Sequence, residues 1–184
     1  MTEEKLNALK YPIGKFVKPE FINDGIITQW ISDIEHFPDK IEVLTKHLSV
    51  EELQWVYRPS GWNIKQVVHH CADSHINAFI RFKLALTEDS PTIKTYHEDR
   101  WANLIDGNSD DLTTTLFLLK GLHAKLSLLL RHIPKAELST KSYIHPQHGK
   151  RFTLDEAIGM YAWHSNHHLA HIKQALEYKG IFLM

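Results

Sequence analysis

The stretch that decides the architecture is Asn63-Ile64-Lys65-Gln66-Val67-Val68-His69-His70-Cys71-Ala72-Asp73-Ser74-His75-Ile76-Asn77-Ala78-Phe79-Ile80-Arg81-Phe82-Lys83-Leu84-Ala85-Leu86-Thr87. Asn63 stands three residues before Gln66, a variant of the capping-box spacing, so a helix starts there. Ile64, Val68, Cys71, Phe79, Phe82 and Leu86 recur at helical spacing, with His75 inside the same stripe. The run ends near Thr87, ahead of Ser90-Pro91.

Three further segments carry the same period. In residues 24–47 the apolar positions are Ile27, Trp30, Ile31, Ile34, Ile41 and Leu44, with Leu48 just beyond. Pro38 is expected to break or kink that helix, or to open a second piece as its first residue. A short helix follows, with Ser49 and Glu52 as its capping box. Residues 111–132 carry Leu116, Leu119, Leu122, Leu126, Leu129 and Leu130 and stop before Pro134. Thr153 and Glu156 read as a capping box for the last long helix, which runs to about residue 179 and stops at Gly180. Residues 142–144 and 150–153 flank His145-Pro146-Gln147-His148-Gly149 as a small hairpin. Residues 1–23 read as an irregular arm, since Pro12, Gly14 and Pro19 prevent a continuous helix.

Four long amphipathic helices of about 20 residues make an all-α four-helix bundle the economical fold. The connection over residues 91–109 is long for a compact domain. It is long enough to carry the chain the length of the bundle, so the second and third long helices are expected to be parallel neighbours. Glycines and prolines are sparse and scattered, so residues 1–184 read as a single domain.

Composition removes whole classes of function. Twenty-one Lys and Arg face 22 Asp and Glu, a net charge of −1, and this argues against nucleic acid or an anionic membrane as partner. The single Cys71 excludes an internal disulfide and a thiolate zinc cluster, and its place in an apolar stripe reads as an inert buried thiol. No apolar run approaches the ~18 residues of a membrane span, and the acidic start lacks a signal-peptide core; a cytoplasmic protein is expected. No Gly-rich phosphate loop or Gly-x-Ser-x-Gly elbow occurs, and no Glu has a His three residues later, as a di-iron carboxylate bundle requires. Fourteen histidines, however, raise the expectation of metal or proton chemistry.

Most of those histidines fall at helix ends, in loops or on polar faces. The run Trp163-His164-Ser165-Asn166-His167-His168-Leu169-Ala170-His171 differs. His164 and His168 lie four apart on one face, a spacing that lets two imidazoles close on one ion. His171 continues the strip, while His167 is rotated away. The competing reading is a solvent-facing polar strip. On the second long helix, at most one of His69 and His70 can face the interior, and His70 continues by helical spacing into Ser74, Asn77 and Arg81. An uncompensated polar strip is costly in a core, so it is expected to line a polar cleft. His70 with His164 and His168 would give three nitrogen ligands and an open position, the catalytic zinc arrangement; an ordinary helix histidine at 70 is the alternative. A bis-histidine haem suits the clustering less well than a bare ion.

The residues from Tyr57 to His75, with Ile80-Arg81-Phe82-Lys83-Leu84, the run from Trp163 to His171 and Tyr11-Pro12-Ile13-Gly14, resemble the YfiT branch of the DinB-like superfamily. The resemblance covers nearly the whole chain. It implies a four-helix bundle with parallel neighbours across the long connection, and one divalent ion, zinc or nickel, on His70, His164 and His168. It further implies a metal-dependent hydrolase or a transferase for a low-molecular-weight thiol such as bacillithiol, and a homodimer. Asn166 departs from the pattern, which has histidine there, and Cys71 replaces an aliphatic residue.

Three functions follow as expectations. The first is transfer of a small thiol to an electrophile, the second is hydrolysis by a metal-bound water, and the third is a non-catalytic metal-binding stress protein. A three-histidine site carries the charge to acidify either a thiol or a water. His171 and Asn77 are then candidates for proton handling, and Arg81 and Ser74 for binding substrate, Arg81 through a forked contact to an anionic group. A surface salt bridge is the alternative for Arg81.

Overall fold

The computed structural model describes residues 1–147 and 149–182. Its elements are α1 (Glu3–Lys10), α2 (Asp24–Thr45), α3 (Val50–Leu53), α4 (Ile64–Thr87), α5 (Glu98–Trp101), α6 (Thr113–Arg131), α7 (Lys135–Leu138), β1 (Ser142–His145), β2 (Lys150–Thr153) and α8 (Leu154–Tyr178). Helices α2, α4, α6 and α8 form the four-helix bundle. No helix of the described residues is long and apolar enough to cross a membrane.

Local chemistry accounts for most of the boundaries. The Asn63 and Gln66 side chains each bond the other's backbone N–H to open α4, and Ser49 with Glu52 does the same for α3. Helix α8 ends with Lys179 in the left-handed region and the Gly180 N–H on the Ala175 carbonyl. Its start departs from expectation. Thr153 makes no capping bond to the backbone, because its hydroxyl donates to the Asp155 carboxylate, and the Glu156 carboxylate that would complete the box is bonded to Lys18 and Lys150. The Asp155 carboxylate accepts the Glu156 N–H at 2.7 Å.

Two other expectations are corrected. The arm over residues 1–23 is not wholly irregular: Thr2 caps α1, Glu3 and Glu4 lie in its first turn, Lys10 in its last, and Leu9 is buried. Those charges suit the helix dipole. Pro38, second, does not break α2. A proline removes the N–H that would bond the carbonyl four residues back, here that of Ile34. That carbonyl accepts the His123 Nδ1–H from α6 at 2.6 Å, so the buried polar atom is satisfied and the helix continues.

Side-chain pairs fix the directions of the bundle. His69 meets Thr115 and His75 meets His123, so α4 and α6 are parallel. His75 meets His164 and Arg81 meets Tyr161, so α4 and α8 are antiparallel. Glu42 pairs with Lys120 and Glu35 with Arg131, so α2 opposes α6. Gly159 lets α8 approach α2, since a Cβ there would lie 2.7 Å from the Trp30 ring. The long crossover carries α5, and its Ile93 N–H and Pro91 carbonyl bond to Ile144, placing Thr92 beside β1 in a parallel bridge. Strands β1 and β2 form the antiparallel hairpin, from Ser142 opposite Thr153 to His145 opposite Lys150. His148 of the turn lies outside the described residues.

The core falls into two apolar clusters. One holds Ile31, Ile34, Ala78, Phe82, Leu126, Ile158 and Ala162; the other holds Phe37, Ile41, Val68, Cys71, Leu119, Leu169 and Ile172. Between them on α4, α6 and α8 come His75, His123 and His164.

Candidate metal centre

Antiparallel packing sets His70 on α4 against His164 and His168 on α8. One ring nitrogen from each can be chosen so that all three lie within 4.8 Å of one another, and among the described residues this is the one such group of His, Cys, Asp or Glu side chains. His70 Nε2 is 3.4 Å from His164 Nε2. Tetrahedral zinc with nitrogens at 2.0–2.1 Å places neighbouring ligands about 3.3–3.4 Å apart. The donor set and this spacing fit a divalent ion.

Electrostatics agrees with that fit. His70 and His168 are buried and His164 is partly so. Burial pushes the pKa of His70 down to about 4. Burial and the neighbouring imidazoles hold His164 and His168 well below the usual histidine range. All three are neutral at pH 7, and a neutral imidazole keeps the lone pair that a metal takes.

His164 and His168 are each held from behind through Nδ1. His164 Nδ1 is 3.0 Å from His75 Nε2, and His75 Nδ1 is 2.8 Å from His123 Nε2. His168 Nδ1 is 3.4 Å from His171 Nδ1, and His171 Nε2 donates to the Lys10 carbonyl at 3.1 Å. Lys10 ends α1, where a helix leaves carbonyls unpaired, so the helix missing from the sequence reading reaches the site. His171 also stacks on Tyr57 with ring centres 3.7 Å apart. His70 packs against Trp62. His69 turns the other way, with Nε2 donating to the Ser109 carbonyl and Nδ1 accepting from Thr115.

A cavity of about 440 Å³ opens onto the three histidines. Its wall carries the cations Lys10 and Arg58, the carboxylates Glu98 and Asp99, and the aromatic rings of Tyr11, Trp62 and Trp163. His171 and His167 line it too. Expectation set His167 aside, yet it is buried, stacks on Trp163 at 4.5 Å, and has a buried Nδ1 with no hydrogen-bond partner. The sequence did hold a signal for it, an aromatic residue four positions back on the same helix.

The polar strip on α4 leads elsewhere. Ser74, Asn77 and Arg81 are not among the cavity's lining residues. Ser74 is buried, and Asn77 donates to the Asp73 carbonyl at 2.8 Å. Arg81 is buried between α4 and α8, donating to the Tyr161 hydroxyl at 2.9 Å, so it forms no surface salt bridge. The cations at the cavity are Lys10 and Arg58. Asn166 donates to Asp33 at 3.3 Å, away from the site, and Cys71 is fully buried, which pushes its thiol pKa up.

This bundle and its histidine cluster place the chain in a known class: the DinB superfamily profile matches residues 33–172, and the chain belongs to that superfamily. The solved structure of YfiT from Bacillus subtilis, described as "a probable metal-dependent hydrolase with an unusual four-helix bundle topology", superposes with a TM-score of 0.90 at 38% identity, covering 95% of this chain and 99% of that one. A Halalkalibacterium halodurans protein named "Putative metal-dependent hydrolase BH0277" is 42% identical over 167 residues, 91% of this chain and 96% of its own. A Bacillus licheniformis relative with the same description is 42% identical over 168 residues, 91% of this chain and 95% of its own.

Proposed function

We propose that this chain is a metal-dependent enzyme in which His70, His164 and His168 hold one divalent ion, zinc or nickel, and which transfers a low-molecular-weight thiol such as bacillithiol to a small electrophile. The observation that carries the reading is the cavity: three neutral imidazoles converge on one end of a space of about 440 Å³ whose wall bears both signs of charge. When bound, the ion supplies Lewis acidity that favours the thiolate over the thiol at neutral pH.

The protein's own groups would do the rest. Lys10 and Arg58 bind carboxylates of the cosubstrate, Arg58 by a forked contact. Glu98 and Asp99 are on the same wall to receive an amine, so a thiol carrying both charges is the cosubstrate that this lining suits. Trp62, Trp163 and Tyr11 exclude water and pack the apolar part of the electrophile.

Hydrolysis is the second reading, favoured by the descriptions of the relatives. Thiol consumption measured with a panel of thiols and electrophiles, on metal-loaded and metal-stripped protein, tests the choice. Saturable, metal-dependent loss of thiol supports transfer. Steady turnover of an ester or amide in thiol-free buffer, unchanged by added thiol, overturns it in favour of hydrolysis.

A further inference from the structure

The layer of imidazoles between the two apolar clusters has a direction that its hydrogen bonds determine. A backbone carbonyl only accepts, so His123 must donate to Ile34 from Nδ1. Neutral His123 then accepts at Nε2, and the donor 2.8 Å away is His75 Nδ1. His75 accepts in turn at Nε2, where the donor 3.0 Å away is His164 Nδ1. His164 is left with a bare lone pair on Nε2, the atom 3.4 Å from His70 Nε2. Burial holds His123 at a pKa of about 4, so no extra proton breaks the alternation near neutrality.

The origin of the chain is a proline. Pro38 cannot bond the Ile34 carbonyl, so that oxygen stays open to an imidazole 89 residues further along the sequence. His75 and His123 are each 1% exposed, and a buried imidazole is tolerated where both nitrogens are partnered, as they are here. The layer therefore costs the core little while it is complete. A similar arrangement stands behind His168, through His171 to the Lys10 carbonyl.

We propose that His75 and His123 are positioning residues, which carry a choice of tautomer from the Ile34 carbonyl to His164 and keep its Nε2 lone pair turned toward His70 and His168. The geometry stands alone; its consequence for metal affinity rests on the three-histidine reading above.

The experiment is long-range ¹H–¹⁵N correlation spectroscopy of the histidine rings in metal-free protein, followed by zinc competition against a chromophoric chelator. The expected spectrum shows His123, His75 and His164 all protonated at Nδ1 and bare at Nε2. His164 found with its proton on Nε2 overturns the proposal. His75→Phe removes the acceptor while filling the space; it should let His164 populate both tautomers and weaken zinc binding about ten- to a hundredfold. His75→Gln retains a carbonyl for the His164 donor and an amide for His123, and should restore the tautomer and most of the affinity. A folded His75→Phe protein with wild-type tautomer and affinity contradicts the proposal. If His75→Phe does not fold, the wild-type spectrum decides alone. Failure of wild-type protein to take up zinc would remove the metal reading, while the spectrum would still judge the relay.

Discussion

His123 Nδ1 donates to the carbonyl of Ile34 at 2.6 Å, across the interface of α6 with α2, and so occupies the acceptor that Pro38 leaves open. One bond thus reconciles a proline inside a long helix with a histidine inside a core. His123→Leu would strand the Ile34 carbonyl and the His75 Nδ1–H together. Each unsatisfied buried group costs about 1–3 kcal/mol, so a loss of about 2–6 kcal/mol is expected in urea unfolding of the metal-free protein. A loss below about 1 kcal/mol would mean that the bond is not holding α2 and α6 together.

Acid should unfold the metal-free protein early. His70 and His123 have pKa values lowered to about 4 by burial, against about 6.5 in the unfolded chain. Above pH 6.5 both states are neutral and the stability is complete. As pH falls from 6.5 toward 4 the unfolded chain binds protons that the folded chain refuses, so stability is lost at about 1.4 kcal/mol per pH unit per such histidine. His171, lowered to about 3, extends the same trend. A thermal midpoint measured at pH 7.5, 6 and 5 should drop steeply between the last two values. A flat profile from pH 7.5 to 5 would contradict the burial of these rings.

Arg58 rather than Arg81 should govern affinity for the thiol. Arg58 lines the cavity, whereas the Arg81 guanidinium is buried against Tyr161. Arg58→Met should raise KM for the thiol about tenfold or more with metal content unchanged, the effect of losing one charge-assisted contact of about 1.5–3 kcal/mol. Steady-state kinetics with the thiol as varied substrate gives the answer. An unchanged KM would place the cosubstrate elsewhere.

The bundle was legible because its signals are local: the 3.6-residue period, the Asn63 cap and the length of the crossover each speak within a short window. The convergence of His70, His164 and His168 was legible for a related reason, since i,i+4 spacing and a polar strip mark a face. Depth along that strip was not legible. Ser74, Asn77 and Arg81 follow His70 by spacing alone, but spacing does not say where α4 leaves the cavity and enters the α8 interface. His167 lies off the ligand strip, as its spacing implies, but its place on the cavity wall was not legible, because the wall on its side of α8 comes from the amino-terminal arm, with Tyr11 stacked 5.9 Å from it and Gly14 bonded to Trp163. The passage of α2 through Pro38 needed a partner 89 residues away, which no window on α2 contains.

The central claim is that three imidazoles from two helices hold one ion. Elemental analysis by mass spectrometry of purified wild-type and His70→Ala protein, each dialysed against zinc and then against buffer, tests it most directly. The wild type should retain about one zinc per chain, as a single site with three protein ligands would, and His70→Ala should retain almost none while its far-ultraviolet circular dichroism stays unchanged. A His70→Ala protein that keeps zinc at the wild-type ratio would contradict the assignment.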